Sequence, residues 1–182
     1  MAHSAQIEFC MNVKDLFPMF FKNKTVLDIG SQDINGNNKM YFENPKYIGV
    51  DISPGKNVDV VCAGHEYDSD IRFDVVCSTE CFEHDPFWDK TLNNMYRLLK
   101  PGGLFFFSCA GDGRDEHGTR RTCPSDEDWV QHEWEDYYMN LNENLIREKC
   151  WDVENMFSHH QFLYNEGAKD LYFFGIKMPD HS

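Results

Sequence analysis

An α/β fold, a mostly parallel sheet closed by an antiparallel hairpin, is predicted by three features of this 182-residue sequence. Short apolar runs without polar alternation recur through the first 110 positions, as in strands buried on both faces. A strongly periodic helical stretch separates two of these runs. Near the end, two β-rich segments flank a Gly-containing turn.

Taken in order, Val13, Leu16, Phe17, Phe20 and Phe21 stand at helical spacing interrupted by Pro18, so residues 1–23 read as an N-terminal helical segment. Residues 24–30 (KTVLDIG) read as the first strand, and 35–43 as a short helix. Residues 46–51, 58–62 and 73–78 give strands two to four. Trp88, Leu92, Met95, Tyr96 and Leu99 fall at i, i+4, i+7, i+8 and i+11 and form one helical stripe, stopped by Pro101-Gly102-Gly103. Residues 104–109 (LFFFSC) are the fifth strand. Residues 110–128 are polar and aperiodic. A helix is predicted over 134–150, with Tyr138, Leu141, Leu145 and Ile146 on one side, and a hairpin from 157–164 and 171–177. The whole chain, 1–182, reads as one domain.

The charge balance, 17 basic against 31 acidic residues, gives a net charge of −14. This argues against tracking nucleic-acid phosphates and against docking on an anionic membrane. The seven cysteines are odd in number and irregularly spaced, as expected of free thiols in a reducing compartment. The N-terminal residues show no basic and apolar leader pattern, and no apolar run approaches a membrane span, so a cytoplasmic location is predicted. Cys109, His117, Cys123 and His132 match no ligand spacing, and His159 and His160 would point to opposite faces of a strand, so no metal site is predicted.

The first strand ends in Asp28-Ile29-Gly30 and turns through Ser31 and Gln32. At such a turn in an open α/β sheet a nucleotide-like ligand sits, and Gly30 allows close backbone approach. About 20 residues on, Asp51 ends the second strand, where a carboxylate suits a ribose diol. The dinucleotide fingerprint G-x-G-x-x-G is absent. Asp28 would repel a pyrophosphate and attract an ammonium group. The implied ligand is a nucleoside with a cationic tail, a description that S-adenosylmethionine fits. Singly, the same residues also read as turn formers: Asp28 as a cap, Gly30 as a turn glycine, and Asp51 opening a turn with Ser53-Pro54-Gly55.

VLDIGSQDINGN, YIGVDISPG, FDVVCSTECFEHD and MYRLLKPGGLFFFS, in that order, resemble successive motifs of the class I S-adenosylmethionine-dependent methyltransferases, in the small-molecule branch. The resemblance implies a Rossmann-like, doubly wound, seven-stranded sheet with a C-terminal antiparallel hairpin. It implies that Asp28 and Gly30, with the turn residues Ser31 and Gln32, hold the methionine end of S-adenosylmethionine. It places Asp51 on the ribose, Ile52 on the adenine, Gly64 and His65 along the adenine edge, and Ser78 near the sulfonium.

Strand four leads into Glu80 and His84. An imidazole with a pKa near 6.5 suits a general base at neutral pH. Glu80 is the other candidate, and Glu83-His84-Asp85 also reads as a plain helix opening. The loop after strand five carries Arg114, His117, Arg120 and Arg121. It reads either as an acceptor lid, with the arginines as anion clamps and His117 as a second base, or as a solvated loop whose arginines pair with local carboxylates. The predicted activity is methyl transfer to an O or N atom of a small-molecule acceptor, anionic or sugar-like. A nicotinamide-dependent oxidoreductase and a non-catalytic S-adenosylmethionine-binding protein are the alternatives.

Overall fold

A computed structural model describes residues 3–122, 134 and 136–179. Its strands are β1 (Thr25–Ile29), β2 (Lys46–Asp51), β3 (Val60–Val61), β4 (Phe73–Thr79), β5 (Leu99–Ala110), β6 (Phe157–Asn165) and β7 (Asp170–Lys177). They form one sheet in the order β3-β2-β1-β4-β5-β7-β6. Pairings among β1 to β5 are parallel, and β7 runs antiparallel to both β5 and β6. This is the predicted mostly parallel sheet with its terminal hairpin. Its order reverses between β1 and β4, where an open α/β sheet leaves a crevice at the carboxyl ends of its strands.

Alternate residues of each strand feed two cores. Leu27, Ile29, Phe105, Phe107, Leu171 and Phe173 face one, which holds the buried stripe of α2 (Trp88–Leu98). Val26, Leu104, Phe106, Tyr172 and Phe174 face the other, under α1 (Ser4–Leu16). Both faces are covered, which is why the strands lack polar alternation. Two short helices, α3 (Glu143–Lys149) and α4 (Val153–Met156), lead into β6.

Several local expectations need correction. The N-terminal helix starts at Ser4 and buries Gln6, Phe9, Cys10 and Val13, an i, i+3, i+4, i+7 face; Pro18 opens a separate 3₁₀ turn, Pro18–Phe20. The segment read as a short helix over 35–43 holds a 3₁₀ turn at Asn38–Tyr41. Pro101-Gly102-Gly103 lies inside β5 as an irregularity, since β4 pairs Phe73 with Leu99 and then Val75 with Leu104. Gly102 takes φ +73° there, a conformation glycine adopts freely. The helix over 134–150 shrinks to α3, because Asn142 caps its start by accepting from the Leu145 amide at 2.9 Å. Before it, Leu141 is engaged by an amide bond to Ala110 O at 2.9 Å.

Candidate active site

A cavity of about 380 Å³ opens at the carboxyl ends of β1, β2 and β4. Gly30 forms its floor with φ +75°, and a Cβ added there would lie 2.6 Å from Cys81 Cβ and Sγ. Its amide donates to Val50 O at 2.8 Å, pinning the turn to β2. Asp51 closes β2. One of its carboxylate oxygens accepts from the Gln32 amide and the other from the Ser53 amide, both at 3.1 Å. Burial lifts its pKa, opposed by these backbone bonds. Each oxygen keeps lone-pair capacity for a further donor. Ile52, Cys62 and Gly64 continue the same wall, and Ser31 and Gln32 line the first turn.

Other predicted cofactor residues lie differently. Asp28 is in the wall, but its carboxylate is occupied: Asn38 Nδ2 donates at 3.0 Å, Tyr47 Oη donates to the second oxygen, and Cys77 Sγ stands at 3.6 Å. Burial raises its pKa to about 6, partly offset by these bonds. Asp28 therefore organises the strand ends, and Asn38 beside it lines the cavity. Ser31 Oγ donates to Asn57 O at 3.0 Å. Ser78 and His65 are not among the lining residues. Ser78 is buried within β4, where the next residue, Thr79, reaches the cavity; the His65 ring packs on Phe87 at 4.6 Å.

Glu80, His84 and His117 line the other side of the cavity. Glu80 takes φ +53°, a left-handed conformation that costs a non-glycine residue energy and is held by its surroundings. Its amide bonds Ser108 O at 2.9 Å, and its carboxylate accepts from Ser108 Oγ at 2.9 Å. Burial would lift its pKa, yet the His3 contact, together with positive charge nearby and the Ser108 hydrogen bond, holds the carboxyl below its usual value. His3 Nε2 lies 3.0 Å from Asp170 and 3.6 Å from Glu80, and these carboxylates raise its pKa to about 9. An unfolded histidine titrates near about 6.5. The contact thus adds stability that is complete below that pH and lost as the pH rises through about 9. Melting wild-type and His3→Ala proteins between about pH 6 and 10 is expected to show their stability gap closing at high pH. A gap independent of pH contradicts the assignment.

Burial is the main force lowering the His84 pKa, to about 3, so its ring is neutral and a poor proton acceptor at pH 7. Its ring meets His117 edge-on at 5.3 Å and Tyr138 at 5.5 Å. His117 Nδ1 lies 3.1 Å from both Asp115 O and Tyr138 Oη. Burial lowers its pKa as well. Behind the two histidines, Glu83 is fully buried, and neither of its carboxylate oxygens has a hydrogen-bond partner among the described residues. Burial first, then the Glu80 charge, raises its pKa to about 8. Sequence reading placed Glu83 at a helix opening; the structure puts it in a 3₁₀ turn, Phe82–His84, four residues ahead of α2 (Trp88–Leu98).

The three arginines of the expected clamp follow the second reading of this loop and pair with carboxylates. Arg114 donates to the buried Asp170 carboxylate and to Ala168 O. Arg120 pairs with Asp136 at 2.7 Å and Arg121 with Glu116 at 2.8 Å. None of the three lines the cavity. In a chain this acidic, carboxylates near and far in the sequence take the guanidinium groups. Over 111–122 the loop is tied down by Gly111 N to Lys169 O at 2.8 Å and Asn140 Nδ2 to Arg114 O at 2.8 Å. The remainder of the expected lid, with Cys123, and also His132, lie outside the described residues.

A crevice at the sheet's reversal point, with glycine at the first turn and a carboxylate at the tip of the second strand, defines a nucleoside-cofactor α/β domain. The family model described as the methyltransferase domain matches residues 1–163, and the chain belongs to that family. It is a class I S-adenosylmethionine-dependent methyltransferase. No curated protein matches the sequence. Among solved structures, the chain is similar to Burkholderia thailandensis 1,6-didemethyltoxoflavin-N1-methyltransferase, at TM-score 0.57 and 17% identity, covering 98% of this chain and 92% of that one. It is also similar to the N-methyltransferase NodS from Bradyrhizobium japonicum WM9, at TM-score 0.59 and 14% identity, covering 96% of each. Haemonchus contortus phosphoethanolamine N-methyltransferase 2 gives TM-score 0.62 and 18% identity over 95% of this chain, which spans 53% of that one. At these identities the likeness is one of fold.

Proposed function

We propose that this enzyme binds S-adenosylmethionine across Gly30 to Asp51 and transfers its methyl group to an O or N atom of a small molecule bound beside Glu80, His84 and His117. One observation carries the reading: a single cavity joins the Asp51 end to the histidine end. The residues present fit this cofactor. Asp51 retains acceptor capacity for ribose hydroxyls, Ile52 and Gly64 line the wall beside it, and Gly30, where a Cβ would meet Cys81, lines the cavity with backbone alone. Asn38 and the Gly30 turn face the methionine end.

When bound, the cofactor supplies a methyl carbon made electrophilic by its sulfonium. The chain's own contribution is alignment and exclusion of water. His117 is the better placed of the two histidines to take a proton, being half-buried and bonded at Nδ1, whereas His84 is held neutral by deeper burial. With the arginines engaged elsewhere, an anionic acceptor loses its support. The lining carboxylates Glu80 and Asp85 favour a neutral or cationic acceptor. The neighbours that methylate nitrogen leave N as one of two acceptor atoms.

Asp51→Ala is expected to weaken S-adenosylhomocysteine binding by about 1.5–3 kcal/mol, the scale of hydrogen bonds to a charged group. Calorimetric titration of both proteins measures it, and an unchanged dissociation constant refutes the ribose assignment. Transfer of labelled methyl to a panel of hydroxyl and amine acceptors tests the activity; product with none, in protein that binds cofactor, favours the non-catalytic alternative.

A further inference from the structure

We propose that Glu83, His84 and His117 form a binding site for one divalent first-row transition-metal ion, whose open positions face the methyl acceptor. This rests on the methyltransferase reading of the cavity and deepens it; with the ion bound, His117 acts as a ligand and no longer as a base. One ligand atom from each residue lies within 4.8 Å of the other two. His117 Nε2 is 3.8 Å from Glu83 Oε1, too long for a hydrogen bond. Bonds of about 2.0–2.2 Å to carboxylate oxygen and imidazole nitrogen would bring such atoms closer together, a closure that side-chain rotation can supply.

The orphaned groups make the case. Glu83 is wholly buried, and both of its oxygens, like His117 Nε2, lack a hydrogen-bond partner among the described residues. His117 Nδ1 lies 3.1 Å from both the Asp115 carbonyl and the Tyr138 hydroxyl, and the tautomer protonated at Nδ1, donating to either, leaves the Nε2 lone pair free to ligate beside Glu83. A carboxyl group and an imidazole nitrogen, both without hydrogen-bond partners among the described residues, thus meet in a buried place, where a cation that displaces the Glu83 proton would satisfy both. Tyr138 Oη, 3.1 Å from Nδ1, fixes the ring as partners of ligating histidines do. The nearby Glu80 adds negative potential. A second cluster, His3, Glu80 and Asp170, differs: Asp170 is already paired with Arg114 and His3.

Two imidazoles and one carboxylate suit manganese, iron(II), cobalt or zinc rather than magnesium or calcium, which prefer all-oxygen shells. Glu83 forms the back of the site, while His84 and His117 line the cavity. The ion thus keeps positions open toward the acceptor, as catalytic metal sites do. The acceptor class this implies is a hydroxyl compound. Its oxygen binds the ion and its proton passes to water. The oxygen then bonds the methyl carbon as the carbon–sulfur bond breaks, with both electrons leaving on sulfur. The products are a methyl ether and neutral S-adenosylhomocysteine, and the ion is unchanged.

The test uses the chelator-treated 182-residue chain and Co²⁺, whose visible absorption reports ligation. Wild type is expected to bind one ion per chain with a new absorption band. Glu83→Gln and His117→Ala are expected to weaken binding by more than about tenfold, and Tyr138→Phe by about tenfold. His3→Ala is expected to leave binding unchanged. Circular dichroism establishes that each variant is folded; His117→Ala, in the loop, carries the test if Glu83→Gln does not fold. Absence of Co²⁺ binding, or binding indifferent to Glu83→Gln and His117→Ala, overturns the site. S-adenosylhomocysteine titration of the same chelated protein separates the two readings. If it binds while Co²⁺ does not, the metal site falls and the methyltransferase reading stands; if neither binds, both fall.

Discussion

Trp151→Ala is expected to cost about 3–5 kcal/mol of stability, the range for removing a large buried aromatic side chain. For a chain of this length that lowers the melting temperature by roughly 6–20 °C. The Trp151 ring centroid lies 5.1 Å from Phe105 and Phe173 and 5.2 Å from Phe157, so it joins the α3–α4 segment to β5, β6 and β7. No side chain nearby is free to fill the space it would leave, since Phe107 and Phe173 are themselves stacked and buried. Its Nε1 has no partner among the described residues, so Trp151→Phe sacrifices no hydrogen bond and is expected to cost much less. Thermal melts of the three proteins measure this. A loss below about 1 kcal/mol for Trp151→Ala would show that this packing does not hold the C-terminal third in place.

Gly30→Ala is expected to weaken cofactor binding at least about 30-fold, because the cofactor-competent turn carries two added costs of together at least about 2 kcal/mol. A left-handed conformation costs an L-residue roughly 1–2 kcal/mol, and overpacking typically costs another 1–3 kcal/mol. Here the conformation is φ +75°, and the new methyl would meet Cys81 Cβ and Sγ at 2.6 Å, well inside contact distance. Cys81 belongs to the segment that carries Glu80 and His84, so relief of the clash displaces both ends of the cavity at once. S-adenosylhomocysteine titration, with circular dichroism to establish folding, measures the effect. Binding within a few fold of wild type would mean that the turn is not the cofactor's floor.

Much of the fold was legible because its signals are local. β2 and the hairpin strands stand within a residue or so of their predicted positions, since apolar runs bounded by turn residues mark them. α2 was legible from its stripe, because Trp88, Leu92 and Met95 are among the residues it buries, although Leu99 of that stripe opens β5. The helix over 134–150 failed where tertiary partners overrode periodicity: Tyr138 and Leu141 are held by Asp115 O and Ala110 O rather than by a helix. The ends of β1 and β2 were legible as a cofactor crevice, because glycine and carboxylate positions there follow from topology. The partners of charged groups were not. Nothing local says that Arg114 reaches Asp170, 56 positions away, or that Asp28 is satisfied by Asn38 and Tyr47. Glu83 was visible only as one half of a Glu-His pair. Its burial, and its approach to His117 from a distant loop, are properties of the assembled sheet.

As proposed, the Gly30–Asp51 crevice is an S-adenosylmethionine site leading to an acceptor pocket. Parallel calorimetric titrations of the wild-type protein with S-adenosylhomocysteine and with NAD test it most directly. One S-adenosylhomocysteine per chain, abolished or strongly weakened in Gly30→Ala, with no heat from NAD, is the predicted result. Saturable NAD binding without S-adenosylhomocysteine binding would contradict it.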